Sequence, residues 1–342
     1  MQLPNSNTDQ FDSLVDYAKK INQLNGGSAE AVFVIHDGQV VTEYYGGTHS
    51  HNQASRQVDE HSRFHVASVR KSYLGFAVAL AVFEGKINSI DDNVLDYLPD
   101  YDKNVVINTT LRHLLTHTHG LSENGSGELI RRFAPGTNWA YEDSNIRMLT
   151  EIVERVFDKS LASLLQERVF QPLQLTRTGW PAVKDEELVS VIGEAGQETD
   201  PLSDSMKDNA KKLYVSAKEL AYWGYFHLKK GMIDGKQVLP KEVFKMATGI
   251  QSPLMVDREL PQNGFLWFVK EFDAKMNEIG KDVPLGSFQI LGVTGPMLLV
   301  VPEQDLVVVR MFNKRYNYDG KEGYLYYIRE FGNKTIKCLN TP

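Results

Sequence analysis

The chain has 342 residues, of which 42% are hydrophobic and 24% are charged. This balance is typical of a globular protein with a sizeable core, and it excludes disordered and collagen-like classes. The 37 Lys and Arg against 44 Asp and Glu give a net charge of −7, which argues against a nucleic-acid-binding protein. The single cysteine, Cys338, excludes an internal disulfide and any zinc site built from several cysteines.

The segment before residue 9 is polar and lacks the basic and apolar regions of a secretory signal. We therefore expect a cytoplasmic protein, with a secreted mature form left as the alternative. The most apolar stretch, residues 72–83, is well short of the roughly 20 residues that cross a bilayer. We expect neither a membrane nor a nucleic acid as a partner, and the sequence leaves the oligomeric state open.

The first elements of the chain are a helix and a hairpin. Apolar residues spaced by three and four predict an amphipathic helix over residues 9–24. The β-rich runs 31–36 and 39–45 are separated only by Asp37-Gly38, a pair that favours the tight turn of a β-hairpin.

Helices dominate the middle of the chain. Residues 68–85 have a helical pattern that is apolar on nearly every side, which predicts a buried helix. Residues 145–157 and 160–170 have amphipathic spacing, and 215–231 is helical again. The polar stretch 181–212 predicts a loop.

The last part of the chain returns to strands. The runs 286–295, 297–301 and 306–312 are strand-like, and a final helix is predicted over 322–337. Strands at both ends with helices between them predict an α/β (α+β) fold whose single sheet is built from both chain ends.

The same order of elements predicts how the chain divides into domains. We place a mostly helical inserted domain at residues 79–205. It separates the two parts of an α/β domain, residues 1–78 and residues 206–342.

The tetrad Ser68-Val69-Arg70-Lys71 opens the apolar helix. Residues three apart share a helix face, so the Ser68 hydroxyl can meet the Lys71 amine. A serine hydroxyl is a weak nucleophile that needs an adjacent base, and a lysine in an apolar pocket can serve as that base. The spacing alone also fits a serine cap followed by a solvated lysine, so both interpretations stay open at this point.

A second candidate is Tyr141, in the segment that runs from Trp139 to Asn145 after a Pro-Gly turn. A tyrosine hydroxyl beside a lysine can pass a proton to a leaving group. The alternative is a tyrosine that only packs at a turn before the next helix.

The third candidate is the segment Gly292-Val293-Thr294-Gly295, inside a strand-like run. Glycines in a strand indicate a bulge or a close backbone approach. An edge strand here could lend a main-chain N–H to an oxyanion hole. A kinked strand without a catalytic role is the alternative.

His113, His117 and His119 have a spacing that could converge on zinc. No cysteine or close acidic residue completes a ligand set, and histidines at a helix end suit the helix dipole. We therefore expect no metal and no other cofactor.

In chain order, these motifs resemble the serine hydrolases related to class C β-lactamases, D-alanyl-D-alanine carboxypeptidases and penicillin-binding proteins. That group includes family VIII carboxylesterases and amide hydrolases of the aminohexanoate-oligomer type. The similarity runs from about residue 30 to 313 and rests on ordered blocks: RFHVASVRKS, LRHLLTHTHGL, PGTNWAYEDSN and NGFLWFV. It implies a β-lactamase/transpeptidase-like fold, with helices flanking the antiparallel sheet.

The resemblance also implies a role for each motif. Ser68 would be the nucleophile, Lys71 its general base, and Tyr141 the group that transfers a proton to the leaving group. An acyl-enzyme would form on Ser68 and water would release it, with no cofactor. The oxyanion hole would use the backbone N–H groups of Ser68 and Val293, since Pro296 has no N–H to offer.

The sequence departs from the family in two motifs. The family's Tyr-x-Asn reads Tyr-Glu-Asp, with Asp143 in place of the neutral amide. An anion beside Lys71 favours the charged form of the lysine, and it weakens the base unless Asp143 is turned away or protonated. The family's Lys/His-Thr-Gly reads Val-Thr-Gly, so Val293 replaces the cation that helps hold a substrate carboxylate.

The leading hypothesis is a serine hydrolase that acts on small esters or amides, with Asp143 and Trp267 as candidate substrate-binding residues. A penicillin-binding, D-Ala-D-Ala carboxypeptidase-like or β-lactamase-like protein, acting on a β-lactam-like ligand, is the first alternative. A catalytically silent relative is the second, and Asp143, Val293 and Pro296 support it.

Overall fold

A computed structural model describes residues 2–52, 54–202, 212–254, 257–315 and 323–340. The α-helices are α1 (Asp12–Asn25), α2 (Lys71–Phe83), α3 (Lys103–Val106), α4 (Leu111–Leu115), α5 (Ser144–Phe157), α6 (Leu161–Leu165), α7 (Gln171–Leu173), α8 (Ala217–Leu228), α9 (Lys241–Thr248) and α10 (Gly323–Asn340). Short 3-10 helices span Ala67–Arg70, Val94–Asp96 and Pro302–Gln304, and a π-helical turn spans Gln166–Phe170.

The strands of the described chain group into one large sheet and several small ones. They are β1 (Ala29–His36), β2 (Gln39–Gly47), β3 (Arg63–His65), β4 (Leu121–Glu123), β5 (Leu129–Arg131), β6 (Thr178–Gly179), β7 (Val191–Ile192), β8 (Glu198–Thr199), β9 (Tyr214–Ser216), β10 (Met232–Ile233), β11 (Lys236–Gln237), β12 (Phe268–Val269), β13 (Phe288–Leu291), β14 (Met297–Val301) and β15 (Leu306–Phe312).

The large sheet has six antiparallel strands in the order β12-β13-β14-β15-β1-β2. Strand β1 from the start of the chain pairs with β15 from its end, with Phe33 opposite Val309. Asp37 and Gly38 both have positive φ in the turn between β1 and β2, as the tightest hairpin turns require. The prediction of one antiparallel sheet built from both chain ends is confirmed.

Helices cover both faces of this sheet. Along β1, Phe33 packs into the core on the side of α8, whereas Val32 and Val34 pack into the core on the side of α1 and α10. This alternation follows from the period of two in a β-strand. Because both faces are covered, the central strands β14 and β15 are apolar at every position except Arg310.

Helix α2 lies in the interior, where it links the sheet to the helical part of the chain. Eleven of its residues are buried, and it packs against α5, α6 and α9. Tyr73 stacks on Trp223 of α8 with ring centroids 4.3 Å apart, and the Trp223 Nε1–H donates to the Ser72 hydroxyl at 3.0 Å. The predicted buried helix is confirmed, and these contacts fix the position of its first turn.

The structure differs from the predicted elements at several places. The helix predicted over 160–170 is α-helical only to Leu165 and continues as a π-helical turn. The small sheet β3-β9-β6 and the helix α9 were not predicted. Residues 203–211, within the predicted loop 181–212, lie outside the described residues, as does the predicted boundary between residues 205 and 206.

The division of the chain into the segments 1–78, 79–205 and 206–342 stays a prediction.

None of the described helices is both long enough and apolar enough to cross a membrane.

Candidate active site

Ser68 lies in the 3-10 turn that leads directly into α2. The backbone N–H of Lys71 donates to the Ser68 carbonyl, so the two residues are one turn apart. The residue before the serine, Ala67, has a φ of +46°, in the left-handed region that costs an L-residue about 1–2 kcal/mol. The chain therefore enters α2 through a strained turn, and Ser68 is partly exposed there while Lys71 is buried.

The Lys71 ammonium is held between an acidic and an aromatic side chain. It lies 2.9 Å from Asp143 Oδ1 and 3.8 Å from the centroid of the Tyr141 ring. The distance between Lys71 Nζ and Asp143 Oδ1 is that of an ion pair, but the two groups are not aligned for a hydrogen bond. Because Lys71 is only 1% exposed, its charge needs such a partner. The structure thus brings together Lys71, Tyr141 and Asp143, and it turns Asp143 toward the lysine.

Asp143 occupies the N-cap position of α5, but its side chain does not cap the helix. An aspartate at this position usually accepts a hydrogen bond from the first helical turn. Here one carboxylate oxygen is directed at Lys71, and the side chain is 66% exposed to solvent. Asp143 therefore acts electrostatically on the lysine from the solvent side of the site.

His117 supports the tyrosine from the interior. Its ring stacks on Tyr141 with centroids 4.7 Å apart and an interplanar angle of 26°. The Asn145 amide lies 3.2 Å from His117 Nδ1 and also donates to the Leu114 carbonyl at 2.8 Å. Because the amide nitrogen can only donate, Nδ1 accepts and the proton of the neutral ring is assigned to Nε2.

Burial, and then the charge of Lys71, lower the pKa of His117 well below its usual value. A neutral imidazole therefore lies under the tyrosine. The sequence indicated His117 only as a possible zinc ligand, and its contact with Tyr141 had no signal in the spacing.

The turn between β13 and β14 closes the other side of the site. A Cβ on Gly292 would lie 2.3 Å from the Val66 carbonyl oxygen, so only glycine allows this backbone to approach the turn that carries Ser68. The N–H of Gly292 donates to the Pro296 carbonyl, and the N–H of Gly295 donates to the Gly292 carbonyl. The N–H groups of Gly292 and Gly295 are thus used inside the turn, and Val293 between them is 39% exposed.

A cavity of about 330 Å³ opens in front of Ser68. It is lined by Ser68, Trp139, Tyr141, Phe268, Glu278, Leu291 and Val293. The predicted substrate contact Trp267 is not among them. Trp267 is 0% exposed and packs edge-to-face on Phe288 in the core, with ring centroids 5.2 Å apart. The choice of Trp267 is corrected to the next residue, Phe268, because Trp267 packs in the core on the side of α8, whereas Phe268 packs in the core on the side of α1 and α10 and lines the cavity.

The three histidines considered for zinc make separate contacts. His113 Nδ1 lies 3.1 Å from the Thr110 hydroxyl, and His119 Nδ1 accepts from the Leu121 N–H at 3.0 Å. Within the ranges that the structure describes, no group of three or more His, Cys, Asp or Glu side chains is arranged to hold a metal ion.

Solved structures share this fold. A class C β-lactamase superposes with a TM-score of 0.78 at 17% identity and covers 99% of both chains. EstCE1, described as a hydrolase with promiscuous acyltransferase activity, superposes with a TM-score of 0.75 at 18% identity, over 95% of this chain and 100% of that one. The antiparallel sheet with flanking helices is therefore of the β-lactamase/transpeptidase-like class.

Sequence comparison gives the family. The sequence model of the β-lactamase family matches residues 12–332, so the chain belongs to the β-lactamase family, a family of serine hydrolases. An uncharacterized protein of Alkalihalophilus pseudofirmus is 45% identical over 341 residues, or 99% of each chain. Esterase EstB of Burkholderia gladioli is 27% identical over 211 residues, which is about half of either chain (52%).

Proposed function

We propose that the protein is a serine hydrolase that forms an acyl-enzyme on Ser68 and acts on small esters or amides. The observation that carries the proposal is the position of Ser68 at the cavity, one turn before a buried lysine whose ammonium lies against Tyr141. A buried base beside a serine is the arrangement that nucleophilic catalysis by a hydroxyl requires.

Each step of the reaction then has a group to perform it. The neutral Lys71 amine takes the proton of the Ser68 hydroxyl, and Ser68 Oγ forms a bond to the substrate carbonyl carbon. The backbone N–H groups of Ser68 and Val293 donate to the resulting oxyanion. Tyr141 transfers a proton to the leaving alcohol or amine as its bond to carbon breaks. Lys71 then returns the proton it took to Tyr141. Water attacks the acyl carbon, the bond from that carbon to Ser68 Oγ breaks, and a proton of the water restores the Ser68 hydroxyl as the carboxylic acid leaves.

The lining of the cavity supports esters and amides rather than ligands that carry a carboxylate. Among the seven residues that line it in the described chain there is no Lys or Arg, and Val293 stands where related enzymes have a cation. Two similar proteins are named as an esterase and as a hydrolase with acyltransferase activity. Both observations favour an ester or amide whose acyl group carries no carboxylate.

The hydrolysis of p-nitrophenyl butyrate by the wild type and by Ser68→Ala tests the proposal. We expect turnover in the wild type and its loss in Ser68→Ala, with a butyryl adduct on the peptide that contains Ser68 when the reaction is quenched early. Ser126→Ala, an exposed serine in the turn between β4 and β5, is the matched control and should retain activity. Equal turnover in Ser68→Ala would refute the acyl-enzyme.

A penicillin-binding or β-lactamase-like activity is the second candidate, and the superposition with class C β-lactamases favours it. Covalent labelling of Ser68 by a fluorescent penicillin, without ester turnover, would support this candidate. Failure of both the penicillin and a fluorophosphonate to label Ser68 would support a catalytically silent protein.

A further inference from the structure

Two of the aromatic side chains that line the cavity in front of Ser68 are in contact with each other. The ring centroids of Trp139 and Phe268 are 6.3 Å apart, with an interplanar angle of 48°. The centroid of the Trp139 ring also lies 6.2 Å from that of Tyr141. Trp139 therefore contacts both Phe268 and the proposed proton-transfer group, and its orientation shapes the cavity.

The Trp139 side chain is not held by regular secondary structure. Trp139 lies between β5 and α5, in a segment without helix or strand, and it is partly exposed. Its indole has a single hydrogen-bond donor, the Nε1–H, which donates to Asn263 Oδ1 at 2.8 Å. Asn263 is 124 positions further along the chain and is paired with Phe268 in a short antiparallel bridge. This long-range bond therefore fixes the indole relative to the residues across the cavity.

Asn263 is an ordered and fully buried acceptor. It is 0% exposed, and its side-chain amide donates to the Trp267 carbonyl at 3.1 Å. Because an indole can only donate, it meets the amide oxygen, and the amide nitrogen is then directed at the carbonyl. The Asn263 backbone is held as well: its N–H donates to the Ser252 hydroxyl at 2.9 Å, and its carbonyl accepts from the Gln251 N–H at 2.8 Å. An oxygen fixed in this way determines where the Trp139 indole lies.

The lining of the cavity favours an apolar group of the substrate. Five of the seven described residues that line it are apolar or aromatic: Trp139, Tyr141, Phe268, Leu291 and Val293. Burying one methylene group against such a surface raises affinity roughly fourfold. This gain requires close contact, because a gap of about 1 Å removes up to about half of the dispersion attraction. The placement of Trp139 therefore decides how tightly an apolar chain is bound.

We propose that Asn263 is a positioning residue that, through its hydrogen bond to Trp139, makes the cavity prefer esters and amides with an apolar acyl chain longer than acetyl. The acyl group is the part concerned because it stays attached to Ser68, at the cavity, through both halves of the reaction. This inference rests on the proposed hydrolase function and specifies its substrate class. Asn263 itself does not line the cavity and acts only through the indole.

The preference for acyl length tests the proposal. p-Nitrophenyl hexanoate and p-nitrophenyl acetate share a leaving group and differ only in the length of the acyl chain. With each rate divided by the spontaneous rate of the same ester, the wild type should have a kcat/KM about tenfold or more higher for the hexanoate. Asn263→Ala should lower this hexanoate-to-acetate ratio about fourfold or more, which is the effect of losing contact with one methylene. A loss of activity common to both esters cancels in the ratio.

Asn313→Ala is the matched control, because Asn313 is also a buried asparagine, 3% exposed. Its side-chain oxygen accepts from the Ser28 and Ala29 N–H groups, and its amide donates to the Ser190 carbonyl. None of these residues is among those described as lining the cavity, so the Asn313→Ala ratio should match that of the wild type. A ratio lowered equally by both asparagine substitutions would overturn the proposal. So would a wild-type ratio of one or less, or an unchanged ratio in folded Asn263→Ala.

A second variant breaks the same hydrogen bond from the other side. Trp139→Phe keeps an aromatic ring but has no N–H, so its hexanoate-to-acetate ratio should also fall about fourfold or more. If Asn263 acts through the indole, the double variant should have a ratio no lower than that of the more affected single variant. Losses that multiply in the double variant would refute the positioning role. An unchanged ratio in Trp139→Phe would refute it even if Asn263→Ala does not fold.

Binding distinguishes this inference from the hydrolase function itself. Calorimetric titration of the Ser68→Ala protein with ethyl hexanoate and with ethyl acetate needs no acyl transfer. Tighter binding of ethyl hexanoate, with a smaller preference once Asn263→Ala is added, would support the positioning role even if no ester is hydrolysed. Equal binding of the two esters would contradict it. Hydrolysis with a hexanoate-to-acetate ratio that Asn263→Ala leaves unchanged would leave the hydrolase standing and refute the positioning role.

Discussion

Replacing Asp143 with asparagine should lower the free energy of unfolding. Asp143 Oδ1 lies 2.9 Å from the Lys71 ammonium, and the Lys71 side chain is 1% exposed. A buried charge is costly unless an opposite charge compensates it, and the Asp143 carboxylate supplies that charge. The substitution Asp143→Asn would remove that charge with little change in side-chain size.

The distance gives the size of the effect. Two unit charges 2.9 Å apart interact by about 1.4 kcal/mol in a medium with the dielectric constant of water. The aqueous value is the appropriate one because the Asp143 side chain is 66% exposed. The free energy of unfolding should fall by an energy of this size when the carboxylate is removed.

The assay is urea denaturation of both proteins at pH 7. We expect the free energy of unfolding to be about 1.4 kcal/mol lower in Asp143→Asn than in the wild type, by the charge argument above. Glu142→Gln is the matched control, since Glu142 lies 3.5 Å from Arg132 rather than beside the lysine. An unchanged or higher free energy of unfolding in Asp143→Asn would show that the ion pair does not stabilise the folded protein.

Three further predictions concern the histidines and the β13–β14 turn. Burial lowers the pKa of His119 to about 3 and of His227 to about 4, and that of His117 lies well below its usual value. The unfolded chain therefore binds protons below pH 6.5 that the folded chain does not, so the free energy of unfolding should fall as the pH is lowered from about 6.5 toward 5. Each histidine with a lowered pKa contributes about 1.4 kcal/mol per pH unit well below pH 6.5, so His227→Phe should reduce the slope measured by urea denaturation by about that amount. Gly292→Ala would place a methyl group 2.3 Å from the Val66 carbonyl oxygen, and we expect loss of p-nitrophenyl butyrate turnover together with a lower Tm in thermal unfolding. His117→Gln removes the ring that stacks on Tyr141, so kcat should fall about tenfold or more with a smaller change in KM. Equal changes in kcat and KM would argue against a positioning role for His117.

The large sheet was predictable because its strands are long and apolar. Strand β15 contains seven buried residues in a row, Leu306–Phe312, and such a run bounded by turn residues is typical of a strand covered on both faces. The hairpin at Asp37 was equally clear, since the sequence of the turn specifies its backbone conformation.

The small sheets were not predictable because their strands are short. Strand β3 has three residues and pairs with β9, about 150 positions further along the chain, so no local sequence pattern predicts it. The edge strand of the large sheet, β12, also has only two residues, Phe268 and Val269, and a strand that short has no period from which to assign its faces. This is why the sequence favoured Trp267 where the structure places Phe268 at the cavity.

Two residues of the candidate site have positive φ values, which non-glycine residues seldom adopt. Ala67 and His117 have φ values of +46° and +57°, a region in which both residue types are uncommon, and they stand next to the proposed nucleophile and beneath the proposed proton-transfer group. Strained residues persist only where the surrounding packing holds them, and here α2, α5 and the β13–β14 turn meet around them. Sequence patterns report local preference, so they identify Ser68 and Lys71 by spacing but not the strained residues that orient the site.

Replacing Ala67 with glycine should remove this strain and reduce activity. A glycine at position 67 would lower the conformational cost of the turn and loosen the placement of Ser68. We therefore expect Ala67→Gly to fold stably and to have a lower kcat for p-nitrophenyl butyrate than the wild type. Undiminished kcat in a stably folded Ala67→Gly would show that the strained turn is not needed to position the serine.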